Sequence, residues 1–283
     1  MADPQVDPVH PLHRYVRPGI LPTIFCTGCG GGTVLNAFCR AVDELGLDPK
    51  RMVMVTGIGC SSWIPSPYFL ADTLHTTHGR AIAFATGVRV MAPDMKVVVI
   101  AGDGDISGIG GNHLIHAARR NVGLTVIMVN NGIYGMTGGQ VAPTTPLSVR
   151  TTTTPYGNVE PPFDVAGLVA AAGATLVSRW TTYHVVDLVR SMKAALTHRG
   201  FSFVEVIGQC TTSYGKAVGK RQASEFLEEY KAKAVRVSAA KTMSPEELQG
   251  RIVVGTLKQS AAPEFCDRLR AQVQGLSTRQ DGG

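Results

Sequence analysis

Short apolar runs rich in β-branched residues alternate along this chain with stretches whose apolar positions recur every three or four residues. Residues 51–56, 96–101, 124–129 and 203–207 carry the first pattern and are read as strands. Residues 33–45, 79–91, 108–121, 164–172 and 183–198 carry the second and are read as helices. The run Val97-Val98-Val99-Ile100-Ala101 has no polar position on either face, which marks a strand covered on both sides. Together these predict an α/β fold: a mainly parallel sheet with helices on both faces. Ligands of such sheets bind outside the carboxyl ends of the strands.

Two stretches depart from the alternation. Residues 137–162 are rich in Gly, Thr and Pro, with four successive threonines at Thr151 to Thr154; a loop of that length is expected to serve a site or a partner. After Cys210 the sequence turns charged and helical, with a basic turn over 212–221, an amphipathic stretch over 222–235 and a helix start at Ser244-Pro245-Glu246-Glu247. The expected division is one α/β domain over 1–210 and a helical C-terminal arm over 211–283, packed on the core or on a partner subunit.

Composition adds limits. Of 283 residues, 44% are hydrophobic and 17% charged, enough apolar material for a sizeable core. No apolar run approaches the roughly 20 residues of a bilayer span. The first twelve residues, with Asp3 and Asp7, lack the cationic start and apolar centre of an export signal, so a cytoplasmic protein without a membrane anchor is expected. The net charge of +6 suits a solvated surface, or a basic face toward an acidic protein or anionic cofactor. With 6% aromatics and no basic cluster interleaved with them, nucleic acid is not an expected partner.

The strand over 96–101 runs into Gly102-Asp103-Gly104-Asp105 and then a helix, and the next strand ends at Asn130-Asn131. Asp103 and Asn131 should therefore project from adjacent strand ends. A carboxylate and an amide oxygen there suit Mg²⁺, which completes its octahedron with phosphate oxygens and water. Gly102 and Gly104 would let the backbone approach a diphosphate, and the helix start supplies amides. Neither a Walker lysine motif nor a dinucleotide fingerprint is present.

Six cysteines without an export signal argue against disulfides. Cys26-Thr27-Gly28-Cys29 is a two-thiol clip, Cys60 follows one strand end and Cys210 another. Four thiolates meeting at the carboxyl edge of one sheet would suit either zinc or a [4Fe–4S] cluster, and spacing does not separate the two. Cys39, on the apolar face of the first helix, and Cys266, in the arm, are read as packing residues.

These motifs, with Tyr15-Val16-Arg17-Pro18-Gly19, Gly57-Ile58-Gly59-Cys60-Ser61, His75-Thr76-Thr77-His78-Gly79-Arg80-Ala81 and Tyr134-Gly135-Met136-Thr137-Gly138-Gly139-Gln140, resemble the β subunits of 2-oxoacid:ferredoxin oxidoreductases. The likeness is nearly continuous from about Tyr15 to Cys210 and looser through the arm. It is strongest to the 2-oxoglutarate type, which the stretches from Thr151 to Asn158 and from Glu160 to Phe163 resemble. Thr27 stands where relatives often carry Pro.

The resemblance implies a thiamine-diphosphate-binding fold with Mg²⁺ on Asp103, Asn131 and the carbonyl of Ile133, and diphosphate contacts at Gly104 and Asp105. It implies a thiamine site lined by Ile58, Gly59, Cys60, Ser61, Gly135 and Met136, and one [4Fe–4S] cluster on Cys26, Cys29, Cys60 and Cys210. His75 and His78 are the candidates for catalytic contacts to diphosphate or substrate carboxylate, beside the plainer role of helix cap or core histidine. Trp63 stands where some relatives carry a basic residue, so a second substrate carboxylate would be met by the histidines or the partner. The implied reaction is oxidative decarboxylation of 2-oxoglutarate with coenzyme A to succinyl-CoA and CO₂, electrons passing through the cluster to ferredoxin. The implied assembly is αβ or (αβ)₂, with the α subunit supplying the catalytic glutamate, so this chain alone would be inactive. The same chemistry on pyruvate or branched-chain 2-oxoacids, a non-redox thiamine lyase with structural zinc, and a non-catalytic scaffold are the alternatives.

Overall fold

Alternate residues of the run over 97–101 serve two different cores. Val98 and Ile100 pack with one apolar cluster, Val97, Val99 and Ala101 with another. Side chains of a strand point to opposite faces in turn, so a continuous apolar run requires helices on both sides of the sheet. A computed structural model describes residues 10–280, with side chains to Leu276; residues 1–9, on which the reading of the N-terminus rests, and 281–283 lie outside it.

The first half contains α1 (Gly30–Glu44), β1 (Met52–Thr56), β2 (Asp72–His75), α2 (Ala81–Met91), β3 (Lys96–Gly102), α3 (Gly111–Arg120) and β4 (Thr125–Asn130). There follow α4 (Val165–Ala172), β5 (Leu176–Thr181), α5 (Val185–Thr197) and β6 (Ser202–Ile207). The remainder forms α6 (Ser213–Val218), α7 (Ala223–Lys233), β7 (Ala234–Arg236), α8 (Val237–Ala240), α9 (Pro245–Leu248), β8 (Ile252–Gln259) and α10 (Phe265–Gln280). Helices α1 and α5 bury their apolar faces in the first core; α2, α3 and α4 close the second. Asp164 caps α4 through its side chain, and Gly173 ends it in the left-handed conformation.

The eight strands run in the order β2-β1-β3-β4-β6-β5-β8-β7. From β2 to β5 all neighbours are parallel; β8 joins β5 antiparallel. From β1 the chain goes outward to β2 and then crosses to β3 on the other side of β1, so the strand order reverses at β1 and β3. Their carboxyl ends splay loops apart there, which is where such sheets bind ligands.

The expected mainly parallel sheet with helices on both faces is observed. The segment expected to be a helical arm differs in kind: residues after 210 contribute β7 and β8 to the sheet, and β8 seals the free edge of β5. The helix expected over 108–121 is broken near its start. Gly110 N–H bonds to Asp105 O five residues back, a wide turn that precedes the regular helix α3. Among the described residues, no helix is long and apolar enough to cross a membrane.

Candidate active site

A cleft of about 570 Å³ opens at the carboxyl ends of β1, β3 and β4. Residues 58–61, 102–105, Asn131, Ile133, Gly135 and Met136 line it, together with His78. Apart from His75, every position that the resemblance assigns to Mg²⁺ or to thiamine diphosphate therefore reaches one cavity. Ile58 and Met136 remain 41% and 44% exposed in its wall, apolar surface that a bound ring would cover.

Asp103 leaves the end of β3 and is 2% exposed. Its Oδ2 accepts from Gly132 N at 3.1 Å and from the Thr144 hydroxyl. Burial pushes its carboxyl up to about 6, against hydrogen bonds from Thr144, Gly104 and Gly132 that hold it down. No Lys or Arg forms an ion pair with it among the described residues, so its charged form has no counter-charge there. The turn after β4 closes on the same point. Gly132 supplies the amide to Asp103 from a left-handed conformation, φ +70°, and Asn131 Oδ1 accepts from Ile133 N at 3.2 Å. The neighbouring asparagine faces away from the cleft. Asn130 Nδ2 donates to Glu205 Oε1 at 2.8 Å, and Asn130 Oδ1 accepts from Gly132 N at 3.2 Å, tying the turn to β6. A buried carboxylate after β3, with an amide oxygen and a backbone carbonyl on the turn after β4, are hard donors of the kind that fit Mg²⁺.

Two glycines differ in what a side chain would meet. At Gly102 a Cβ would find only Ser61 Oγ, at 3.7 Å, so the floor of the cleft is open there. At Gly104 it would strike the ring of Tyr134, whose hydroxyl donates to Gly104 O at 3.0 Å. Gly104 thus makes room for Tyr134, which locks the loop after β4 onto the turn after β3, and not only for a diphosphate.

The resemblance puts Asp105 at the diphosphate. Its carboxylate is instead committed to this chain: Oδ1 accepts from Ile58 N at 3.0 Å and Gly79 N at 2.8 Å and lies 2.9 Å from His78 Nδ1. Two anions repel, so a diphosphate would meet the backbone here, not the side chain. Asp105 Oδ2 is buried without a protein partner. His78 Nδ1 also lies 3.1 Å from Ile58 O. Both neighbours of Nδ1 are acceptors, so Nδ1 carries the proton in the neutral ring and Nε2 is left with its lone pair. His75 occupies the end of edge strand β2, exposed and outside the cleft lining. Arg80 donates to the carbonyls of Gly79 and Ile109 and pairs with no acid among the described residues. Trp63 packs against the first core.

The four cysteines of the glycine-rich turns gather beside this cleft. A Cβ built at Gly135 would stand 3.7 Å from Cys210 Sγ and 3.8 Å from Cys60 Sγ. Burial pushes the Cys60 thiol up to about 11, with Cys29, Cys210 and Cys26 pushing the same way. Cys29 is likewise raised by burial and then by Cys210 and Cys26, though the amide of Gly31 opposes this. Burial thus favours the neutral thiol at both Cys60 and Cys29. Cys39 and Cys266 are buried, in keeping with packing roles.

Three site residues have no motif to announce them. Gln209, 5% exposed, donates from Nε2 to Gly28 O at 3.0 Å, accepts from Thr182 Oγ1 at 2.6 Å and takes the amide of Gly30 on its own carbonyl. It fastens the Cys26–Cys29 clip to the end of β6, and Thr211 adds a bond to Thr27 O at 2.8 Å. Thr144 and Thr145 belong to the long irregular loop; Thr145 Oγ1 donates to Gly132 O at 2.7 Å. That loop is a clamp on the Asp103–Gly132 turn, ordered by Asn158, which bonds Thr145 O at 2.8 Å and Glu160 O at 2.9 Å.

A parallel sheet whose switch point presents Asp103 and Asn131 over an apolar cleft defines a thiamine-diphosphate-binding domain. The family model for the thiamine pyrophosphate enzyme C-terminal TPP-binding domain matches residues 57–206. The 2-oxoglutarate synthase subunit KorB of Methanocaldococcus jannaschii is 49% identical over 270 residues, 95% of this chain and 100% of that one. Its counterpart from Methanothermobacter marburgensis is 48% identical over 96% of this chain and 95% of its own. Among solved structures, the 2-oxoglutarate:ferredoxin oxidoreductase from Magnetococcus marinus with 2-oxoglutarate, coenzyme A and succinyl-CoA bound superposes with a TM-score of 0.84 at 33% identity, covering 96% of this chain and 93% of that one. The chain belongs to the KorB family, the β subunits of thiamine-dependent 2-oxoglutarate:ferredoxin oxidoreductases.

Proposed function

We propose that this chain holds thiamine diphosphate, Mg²⁺ and one [4Fe–4S] cluster in a cytoplasmic enzyme that oxidises 2-oxoglutarate, and that it works only with an α subunit in an αβ or (αβ)₂ complex. The observation that carries this is the sharing of two residues. Cys60 lines the cleft and belongs to the thiol group, and Gly135 lines the cleft with its missing side chain facing Cys60 and Cys210. A redox centre on these thiols would adjoin the cofactor with one residue between them, and electrons could leave the cleft without crossing solvent.

Asp103, Asn131 and the carbonyl of Ile133 would hold Mg²⁺, with diphosphate oxygens and water completing six ligands. Thiamine diphosphate, when bound, supplies the electron sink that lets a 2-oxoacid lose CO₂. The chain's own contributions are positional. Met136 and Ile58 exclude water from the cleft, Tyr134 and Asp105 fix its two loops, and His78 presents Nε2 to hold a proton or meet a carboxylate. Among the described residues the cleft lining holds no Lys or Arg for the second carboxylate of 2-oxoglutarate, so its recognition is assigned to the α subunit.

In the net reaction 2-oxoglutarate and coenzyme A become succinyl-CoA and CO₂, two electrons pass singly to two oxidised ferredoxins, and one proton is released. The reverse carboxylation is open to the same site. Four thiols suit zinc or an iron–sulfur cluster alike, and metal content separates the two. The test is anaerobic purification of the αβ complex with metal analysis and turnover on a panel of 2-oxoacids. The proposal expects a brown, iron- and sulfide-bearing complex selective for 2-oxoglutarate, and no turnover by the isolated chain. A colourless complex with stoichiometric zinc, or a preference for pyruvate, contradicts it.

A further inference from the structure

The thiol nearest solvent marks where electrons can leave. Cys26 is exposed, whereas Cys29, Cys60 and Cys210 are half-buried. The segment from Cys210 into α7 wraps this exposed side of the clip. Thr211 bonds Thr27, Gly215 N donates to Cys210 O at 2.8 Å, and a Cβ at Gly28 would stand 2.8 Å from Ala223 Cβ. Lys216 and Arg221 are therefore carried on a strap whose two ends touch the cysteine loops.

The strap is strongly basic. Residues 211–236 hold Lys216, Lys220, Arg221, Lys231, Lys233 and Arg236 against Glu225, Glu228 and Glu229, a net +3 and half of the chain's +6. Lys220 and Lys233 are spent on Glu229, and Arg236 on Asp187. Glu225 turns its carboxylate onto the amides of Arg221 and Gln222. Lys216 and Arg221 are exposed and form no ion pair among the described residues. Uncommitted cations at the rim of a redox site raise encounter rates with a partner of opposite charge.

We infer that the face formed by Lys216 and Arg221 beside Cys26 docks an acidic one-electron carrier protein. This rests on the iron–sulfur reading of the four cysteines. In the docked pair a reduced cluster held by these cysteines would give one electron to the oxidised carrier, leaving the cluster oxidised and the carrier reduced with no bond or proton changing hands.

The experiment uses the assembled αβ complex, wild type and a Lys216→Glu/Arg221→Glu double variant, with 2-oxoglutarate and coenzyme A. Electron acceptors are methyl viologen, a small dye that needs no docking face, and an acidic ferredoxin at low and high salt. The expected result is unchanged dye reduction, with the ferredoxin KM at low salt raised at least about tenfold and its salt dependence flattened. The Lys216→Arg/Arg221→Lys variant, which keeps both charges, should restore the wild-type KM. Dye reduction intact with ferredoxin kinetics unaffected by charge reversal overturns the docking face alone. A wild-type complex without iron overturns the cluster reading and this inference with it.

Discussion

His78 Nδ1 lies 2.9 Å from Asp105 Oδ1 while the same carboxylate oxygen takes the amides of Ile58 and Gly79. One buried acid thus fixes both the tautomer of the cleft histidine and the loop that carries Cys60. His78→Ala should lower kcat/KM of the assembled enzyme by about 10²-fold, the lower end for a positioned acid–base group, whereas His75→Ala at the sheet edge should leave it nearly unchanged. Steady-state kinetics of the two variants decide; equal losses would remove the distinction.

Asp103 and Thr144 give a graded test of the metal site. Asp103→Ala removes a proposed ligand and should abolish Mg²⁺-dependent retention of thiamine diphosphate. Thr144→Val removes only the hydroxyl bonded to Asp103 and should weaken retention by about 10- to 100-fold, the range for groups that orient a metal ligand. Calorimetric titration of thiamine diphosphate with and without chelator measures both. Retention unaffected in Asp103→Ala would place the cation elsewhere.

Gln209 makes two hydrogen bonds to the cysteine clip, at Gly28 and Gly30, and is itself held by the Thr182 hydroxyl. Gln209→Ala should lower iron occupancy or shift the cluster's midpoint potential, while the circular dichroism of the fold stays as in the wild type. Gln209→Glu keeps the bond to Thr182 but cannot donate to Gly28 O, and should behave like the alanine variant. Normal iron content and potential in both would reduce Gln209 to an ordinary core residue.

Arg179 in β5 and Glu205 in β6 lie side by side at 2.6 Å, with Glu205 2% exposed and also bonded to Asn130. Arg179 keeps its second partner Asp164, but Glu205→Ala leaves Arg179 Nε and Asn130 Nδ2 without their acceptor and should cost about 1–3 kcal/mol. Chemical denaturation measures the loss. Because Asn130 anchors the Gly132 turn, thiamine diphosphate affinity should fall in the same variant.

These residues show why part of the molecule is legible in the sequence and part is not. Asp103 and Asn131 are readable because two apolar runs predict adjacent parallel strands, and strand ends bring short-range motifs together over long sequence distance. Strand β5 escapes notice because Arg179 interrupts its apolar run, and its partner Glu205 is visible only once the strands are paired. Strand β2 is short, polar and at an edge, so it carries little hydrophobic pattern. Strand β8 does offer a signal, the β-branched run Ile252-Val253-Val254, masked by the charged helices around it. Thr144 and Gln209 matter through tertiary hydrogen bonds, and one threonine in a loop with six others from 137 to 154 has no pattern to single it out.

The most direct measurement adds 2-oxoglutarate to the anaerobic αβ complex in the absence of any ferredoxin and follows visible absorption and electron paramagnetic resonance. If cofactor cleft and thiol group adjoin through Cys60, the substrate should bleach the iron–sulfur absorption and produce the signal of a reduced cluster. Decarboxylation that proceeds while the iron centre stays oxidised, or a complex with no iron to reduce, would contradict the account.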